Sequence, residues 1–117
     1  RIRSSRADYL FYALVDSMVD NYVHTVNVFE NKIEEMDSFF ESEAADKLPT
    51  MIRKAKNELM YLRKAALPLR DSLSAICRSE HEDIDTRTKM YLKDCLEHSI
   101  HVVGQLDSCK ELLGSLA

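Results

Sequence analysis

The sequence predicts an all-α fold of three long antiparallel helices, at about residues 7–41, 48–78 and 86–117, in an elongated, coiled-coil-like bundle. Two observations predict it. The 117 residues include only two glycines and two prolines, whereas an all-β fold needs many turns built from such residues. Apolar residues also recur at steps of three and four over three long segments, which is the spacing of one helical face.

The first helix is predicted from an apolar stripe that covers about 30 residues. Ser4 and Ser5 are suitable N-caps, so the helix is expected to begin near residue 7. A polar stretch at 41–47 interrupts the pattern and ends the helix. The predicted core-facing positions are Leu10, Leu14, Met18, Tyr22, Val26, Phe29, Ile33, Met36 and Phe40.

The second helix is predicted from a heptad pattern that runs without a slip. Pro49 fits its first turn, where a missing backbone N–H costs no hydrogen bond. Pro68 lies in its interior and is expected to bend the helix near Lys64. The core-facing positions are Leu48, Ile52, Ala55, Leu59, Leu62, Ala66, Leu69, Leu73 and Ile76.

The third helix follows a polar connector at 79–85. Short connectors between long helices favour antiparallel neighbours, so the three helices are expected to run up, down and up as a single helical domain. The core-facing positions are Leu92, Leu96, Ser99, Val103, Leu106, Cys109 and Leu113.

Composition excludes several classes of function. A net charge of −4 argues against nucleic-acid binding, which relies on a dense basic surface. Three cysteines without a C-x-x-C pair argue against a disulfide framework and favour a reducing compartment. No glycine-rich phosphate loop, Glu-x-x-His pair or nucleophile-and-base signature occurs, so we do not expect an enzyme. No apolar run reaches 18 residues and no signal-peptide pattern is present.

Charge is unevenly distributed between the first two helices. The pattern permits two interpretations: solvated faces with cross-helix ion pairs, or an acidic rim that attracts cations. The acidic residues of the first helix are Glu30, Glu34, Glu35, Asp37, Glu41 and Glu43, and the basic residues of the second are Arg53, Lys54, Lys56, Arg63, Lys64 and Arg70.

Three aspartates are candidate ligands for a hard divalent cation. Asp16 and Asp20 are four residues apart and share a helical face. Asp16 and Asp94 each lie between predicted core positions, so both are expected to point away from the chain's own core. Such carboxylates are either solvated or meet a neighbouring chain, where a cation would relieve their repulsion.

A second candidate site lies on the third helix, where His98 and His101 share a face with Asp94. One helix supplies at most three ligands here, fewer than the four of a structural zinc site. The alternative is a polar strip that faces solvent.

Three segments together resemble the CorA-type magnesium transporter family. Residues 8–22, DYLFYALVDSMVDNY, resemble D-Y-L-L-Y-x-L-x-D-x-x-V-D-x-Y. Residues 62–71, LRKAALPLRD, are similar to L-R-[RK]-x-x-x-P-L-R-[ED], and residues 91–98, YLKDCLEH, resemble Y-[FL]-[RK]-D-V-x-[DE]-H, with Cys95 in place of a common Val. The segments follow the family's order and cover nearly the whole chain.

The resemblance implies the helical part of a homopentameric Mg2+ channel, on the cytoplasmic side of the inner membrane. The family's α/β domain would precede it and two membrane helices would follow it. Mg2+ held between identical subunits would favour the closed state, and residue by residue its ligands correspond to Asp16 and Asp94. Residue pattern, and not the resemblance, adds Asp20 and His98 as candidate metal ligands. The transported ion stays open between Mg2+, Zn2+, Co2+ and Ni2+.

Residue patterns alone leave two other functions open. One is a structural helical bundle that mediates protein assembly without a metal. The other is a zinc-binding bundle that uses His98 and His101. The resemblance favours the metal transporter over both.

Overall fold

Three long helices make up the computed structural model, which describes residues 2–38, 45–79 and 84–116. Helix α1 is Ile2–Asp37, α2 is Leu48–Arg78 and α3 is Thr86–Leu116. One turn of 3-10 helix, Ala45–Lys47, leads into α2. The described ranges contain no strand, so the predicted all-α class is confirmed.

The helix boundaries agree with the prediction for α2 and differ for α1. Helix α1 begins at Ile2, about five residues earlier than the N-caps indicated. Its predicted end at 41 and the core position Phe40 lie outside the described residues, as do connector residues 80–83 and Ala117. Helix α2 continues through Pro68, with Pro49 in its first turn as expected.

The bundle is elongated and α3 is its central helix. It measures 64 × 19 × 17 Å with a radius of gyration of 18.3 Å, whereas a compact chain of this length would have about 13 Å. Helix α3 packs along both α1 and α2, which touch each other at few points. Adjacent residues Val102 and Val103 are both buried, because α3 presents one face to each neighbour.

The core consists of two clusters stacked along the bundle. The larger one joins the second half of α1, the first half of α2 and the second half of α3, and includes Ile33, Leu59 and Leu106. The smaller one lies beyond it towards the start of α1. Its buried members are Val15, Val19, Leu73, Leu92 and Cys95.

The predicted stripe is correct for the second half of α1 and wrong for the first. Val26, Phe29, Ile33 and Met36 are buried as expected. Leu10, Leu14 and Met18 are instead 60%, 59% and 49% exposed, and Val15 and Val19 face the core in their place. The predicted stripe through Leu14 and Met18 and the observed stripe through Val15 and Val19 both have helical spacing, and both continue to Val26. The compact valines lie in one cluster with Leu92 and Cys95 of α3.

Pairing between acidic α1 and basic α2 is largely absent. Within the described residues the one ion pair between these helices joins Lys32 of α1 to Glu58 of α2 at 4.0 Å, with the opposite polarity to the expected one. Both side chains are more than half exposed, so the pair contributes at most about 1 kcal/mol. The separation of the two helices by α3 explains why their charges do not meet. Glu41 and Glu43 lie outside the described residues.

Asp8 ties the start of α1 to the start of α3. Its Oδ2 accepts a hydrogen bond of 2.9 Å from the backbone N–H of Asp85, the residue just before α3. We expect Asp8→Ala to lower the free energy of unfolding by about 1 kcal/mol, because an N–H at a helix start loses its acceptor. Asp8→Asn keeps an acceptor oxygen and is expected to cost less in urea denaturation. Equal losses in the two variants would contradict this role.

Candidate functional site

Asp16 lies at the edge of the contact between α1 and α3. Its side chain is half-buried, and its Oδ1 lies 3.7 Å from the Sγ of Cys95. The expectation that Asp16 points away from its own bundle is therefore wrong. The cause is the shifted stripe: with Val15 and Val19 in the core, the residue after Val15 faces α3 instead of open solvent.

Asp94 and Asp20 are exposed, so Asp94 faces outward as predicted. Both lie close enough to Cys95 to act on its thiol, as Asp16 does. Burial raises the pKa of Cys95 to about 11, and the charges of Asp16, Asp20 and Asp94 add to the effect. The thiol is therefore protonated at neutral pH and donates its S–H to Asp16.

Three tyrosine rings form a cluster near Asp16. The rings of Tyr12 on α1 and Tyr91 on α3 lie 5.0 Å apart, and Tyr9 lies 6.0 Å from Tyr12. Burial and the nearby charge of Asp16 raise the pKa of Tyr12. The sequence interpretation missed Tyr12 and Cys95 as neighbours of Asp16. The sequence did contain a signal for this contact, because Tyr12, Val15 and Val19 share one face of α1.

The three carboxylates are not neutralised by any described side chain. Within the described ranges, the ion pairs join Lys32 to Glu58, Arg63 to Asp107 and Arg70 to Asp71, and none of them includes Asp16, Asp20 or Asp94. The same residues contain no group of three or more His, Cys, Asp or Glu side chains arranged to hold a metal ion. One chain therefore offers uncompensated negative charge without a closed coordination shell.

The histidines proposed for zinc do not converge with other ligands. His98 and His101 are both exposed on α3. Neither belongs to a metal-holding group among the described residues. A zinc site that used them would need ligands from elsewhere.

Glu30 faces α3 and not the acidic rim considered from the sequence. Its Oε2 accepts a hydrogen bond of 3.2 Å from Nε2 of Gln105, and Asn27 accepts a second one at 2.9 Å. The Oε1 of Gln105 is buried without a partner among the described groups. This polar contact fixes the register of α1 against α3 in the middle of the bundle.

Fold and site together define a class: an elongated three-helix bundle in which the Asp16 carboxylate of α1 contacts Cys95 of α3. No described helix combines the length and apolar character needed to cross a membrane. A sequence model of the family described as "CorA-like Mg2+ transporter protein" matches residues 1–117. The chain belongs to this family, and the resemblance stated from its motifs is confirmed. The family is one of transporters and not of enzymes.

Two curated relatives are similar over nearly the whole chain. The "Cobalt/magnesium transport protein CorA" of Thermotoga maritima is 28% identical over 115 residues, which are 98% of this chain and 33% of the relative. The "Putative metal ion transporter YfjQ" of Bacillus subtilis (strain 168) is 23% identical over 108 residues, 92% of this chain and 34% of the relative. The chain thus spans about a third of the length of these relatives.

Proposed function

We propose that the chain is the cytoplasmic helical part of a CorA-like transporter for divalent cations, and that its α1–α3 edge takes part in sensing Mg2+ between identical subunits. The observation that carries the proposal is the 3.7 Å contact between the Asp16 carboxylate of α1 and the Cys95 thiol of α3, because Cys95 directly follows Asp94 in the sequence. Membership of the transporter family makes a divalent cation the natural counter-ion for these carboxylates.

The geometry favours a site that a second subunit completes. Asp16 is half-buried and offers a carboxylate held in place by the Cys95 thiol, while Asp94 is exposed and free to reach a neighbour. Hard cations such as Mg2+ need about six oxygen ligands, some of them from water. The carboxylates in the described ranges of one chain do not form such a shell. Ligands or charges from an adjacent subunit would supply the remainder.

Such a site would sense Mg2+ because the cation would bind the closed and the open arrangement of the subunits with different affinity. A cation that bridges two subunits binds the assembled, closed arrangement more tightly than an open one. A high Mg2+ concentration then favours the closed state, and its fall removes the bridges. In the absence of the cation, repulsion between the facing carboxylates favours separation. In the proposed parent protein, several identical subunits would contribute such sites, with a pentamer as the arrangement implied by the resemblance.

The test is a titration of the purified chain with MgCl2, followed by melting temperature and by native mass. At a tenfold excess over the dissociation constant, Mg2+ is expected to stabilise the wild-type chain by about 1.4 kcal/mol. That corresponds to a rise of about 5 °C in melting temperature, together with a shift to oligomers. Asp16→Ala and Asp94→Ala are expected to lose both responses.

Asp71→Ala serves as the matched control, because Asp71 is an exposed aspartate that pairs with Arg70 and lies on α2, outside the two helices that carry the candidate aspartates. It should keep the full response to Mg2+. Titrations with CoCl2 and ZnCl2 rank the ions by the stabilisation that each one produces. The variant His98→Ala shows whether His98 contributes to zinc binding. A wild-type chain without any response to the cations, or a response that persists in both aspartate variants, contradicts the proposal and favours a purely structural bundle.

A further inference from the structure

A groove between α2 and α3 lies at the opposite end of the bundle from Asp16. It has a volume of about 450 Å3, a size typical of small-molecule sites. Its apolar floor contains Leu59 and Leu113, which are 5% and 1% exposed, and Met60 forms one wall with 56% of its surface exposed. The groove is roughly 25 Å along α3 from the carboxylates around Cys95.

Gly114 keeps this groove open on the α3 side. It lines the groove and is exposed, and a Cβ placed on it would meet no other atom within 4 Å. A larger side chain at this position would therefore extend into free space.

Cationic groups border the apolar floor on both sides. Lys56 of α2 and Lys110 of α3 line the groove, and neither forms an ion pair with a carboxylate in the described part of the chain. Arg63 also lines it but is held by Asp107 at 2.6 Å. Two like charges beside a low-dielectric surface create a positive potential that an anion would relieve.

The nearby acidic side chains do not neutralise the positive charges of Lys56 and Lys110. Asp107 is occupied by Arg63, and Glu58 pairs with Lys32 on the α1 side of α2. Glu111 follows Lys110 directly, and residues one apart on a helix do not face each other. It is exposed and does not line the groove.

The geometry points to a binding site for a single-chain aliphatic anion, with its phosphate or carboxylate head between Lys56 and Lys110 and its tail along Leu59, Met60 and Leu113. The lining includes no aromatic ring on which a nucleotide base could stack. A floor of Leu and Met side chains suits a flexible aliphatic tail instead. The occupant is a free amphiphile and not a bilayer, because the apolar residues form the floor of a groove between two helices.

The test uses dodecyl phosphate below its critical micelle concentration, with binding measured by calorimetry and by NMR shifts of the 117-residue chain. Lys56→Gln combined with Lys110→Gln is expected to weaken binding about tenfold or more, since charge-assisted contacts are lost. Gly114→Leu places a bulky side chain on the groove's lining and is expected to weaken binding at least tenfold. The helix should tolerate this change, because leucine has a higher helix propensity than glycine.

Two matched variants control for charge and for helix propensity. Lys54→Gln removes a lysine of α2 that does not line this groove, and Gly104→Leu replaces the other glycine, which is also exposed and outside the groove. Both should bind dodecyl phosphate like the wild type. The proposal is overturned if the wild type fails to bind, if Gly114→Leu binds normally, or if dodecyltrimethylammonium binds as well. Equal binding of inorganic phosphate, or binding only to phosphatidylglycerol vesicles, would also overturn it.

Discussion

Leu106→Ala is expected to lower the free energy of unfolding by about 3 kcal/mol and the melting temperature by about 12 °C. Leu106 is 1% exposed and belongs to the larger core cluster, in which all three helices meet. Its truncation removes buried apolar surface and leaves a cavity between long, straight helices that have little freedom to close it. Such a loss is a large share of the stability of a domain of this size. Thermal unfolding followed by circular dichroism at 222 nm measures it.

Two leucines elsewhere in the chain provide the control. Leu112→Ala changes a residue of the same helix that is 40% exposed, and Leu14→Ala changes one that is 59% exposed on α1. The Leu14 variant is expected to stay within about 0.5 kcal/mol of the wild type, and Leu112→Ala should lose clearly less than Leu106→Ala. A loss at Leu14 as large as at Leu106 would show that the isolated chain buries the stripe of Leu10, Leu14 and Met18 after all.

Alkaline pH is expected to destabilise the chain through two buried thiols. Burial raises the pKa of Cys95 and Cys109 from 9.0 to about 11, with nearby carboxylates adding to it. Below pH 9 both thiols are protonated in the folded and the unfolded state, and their full contribution to stability is present. As the pH rises from about 9 to about 11, the unfolded state releases the protons first, so stability is lost.

The expected loss by about pH 10 is about 1 kcal/mol per thiol, or about 2 kcal/mol for both. Urea denaturation at a series of pH values measures it. The double variant Cys95→Ala/Cys109→Ala starts from lower stability, but its stability should fall less steeply above pH 9, because only Cys77, the tyrosines and the lysines remain to titrate there. Parallel pH profiles for the wild type and the double variant would show that the thiols ionise freely in the folded state.

Helix α2 shows how far local pattern predicts this fold. Its residues Leu48 to Arg78 form the predicted helix with the predicted boundaries, and Leu59, Ala66 and Leu73 are buried as expected. Apolar residues lie on one main stripe of this segment, so only one packing face is available. Helix α3 buries its predicted stripe except for Leu96, which is partly buried. Cys95 and Val102 are buried in addition, because α3 packs against two neighbours.

The position of the candidate aspartates relative to α3 could not be predicted from the sequence. Asp16, Asp20 and Asp94 were singled out because of their residue type and their positions beside the apolar stripes. Their common neighbour Cys95 was not, since the pairing of α1 with α3 joins residues almost 80 positions apart. Spacing along one helix carries no information about which face of another helix it meets.

By itself the sequence determined three long helices, their order and their family, because helical periodicity and family motifs are local properties of the chain. The tertiary structure decided that α3 lies between α1 and α2 and that Val15 and Val19, rather than Leu14 and Met18, face it. The first half of α1 has apolar residues on two faces, and hydrophobicity favours burial of either. The fit against the small cluster around Leu92 and Cys95 selects one face, and that choice turns Asp16 towards α3.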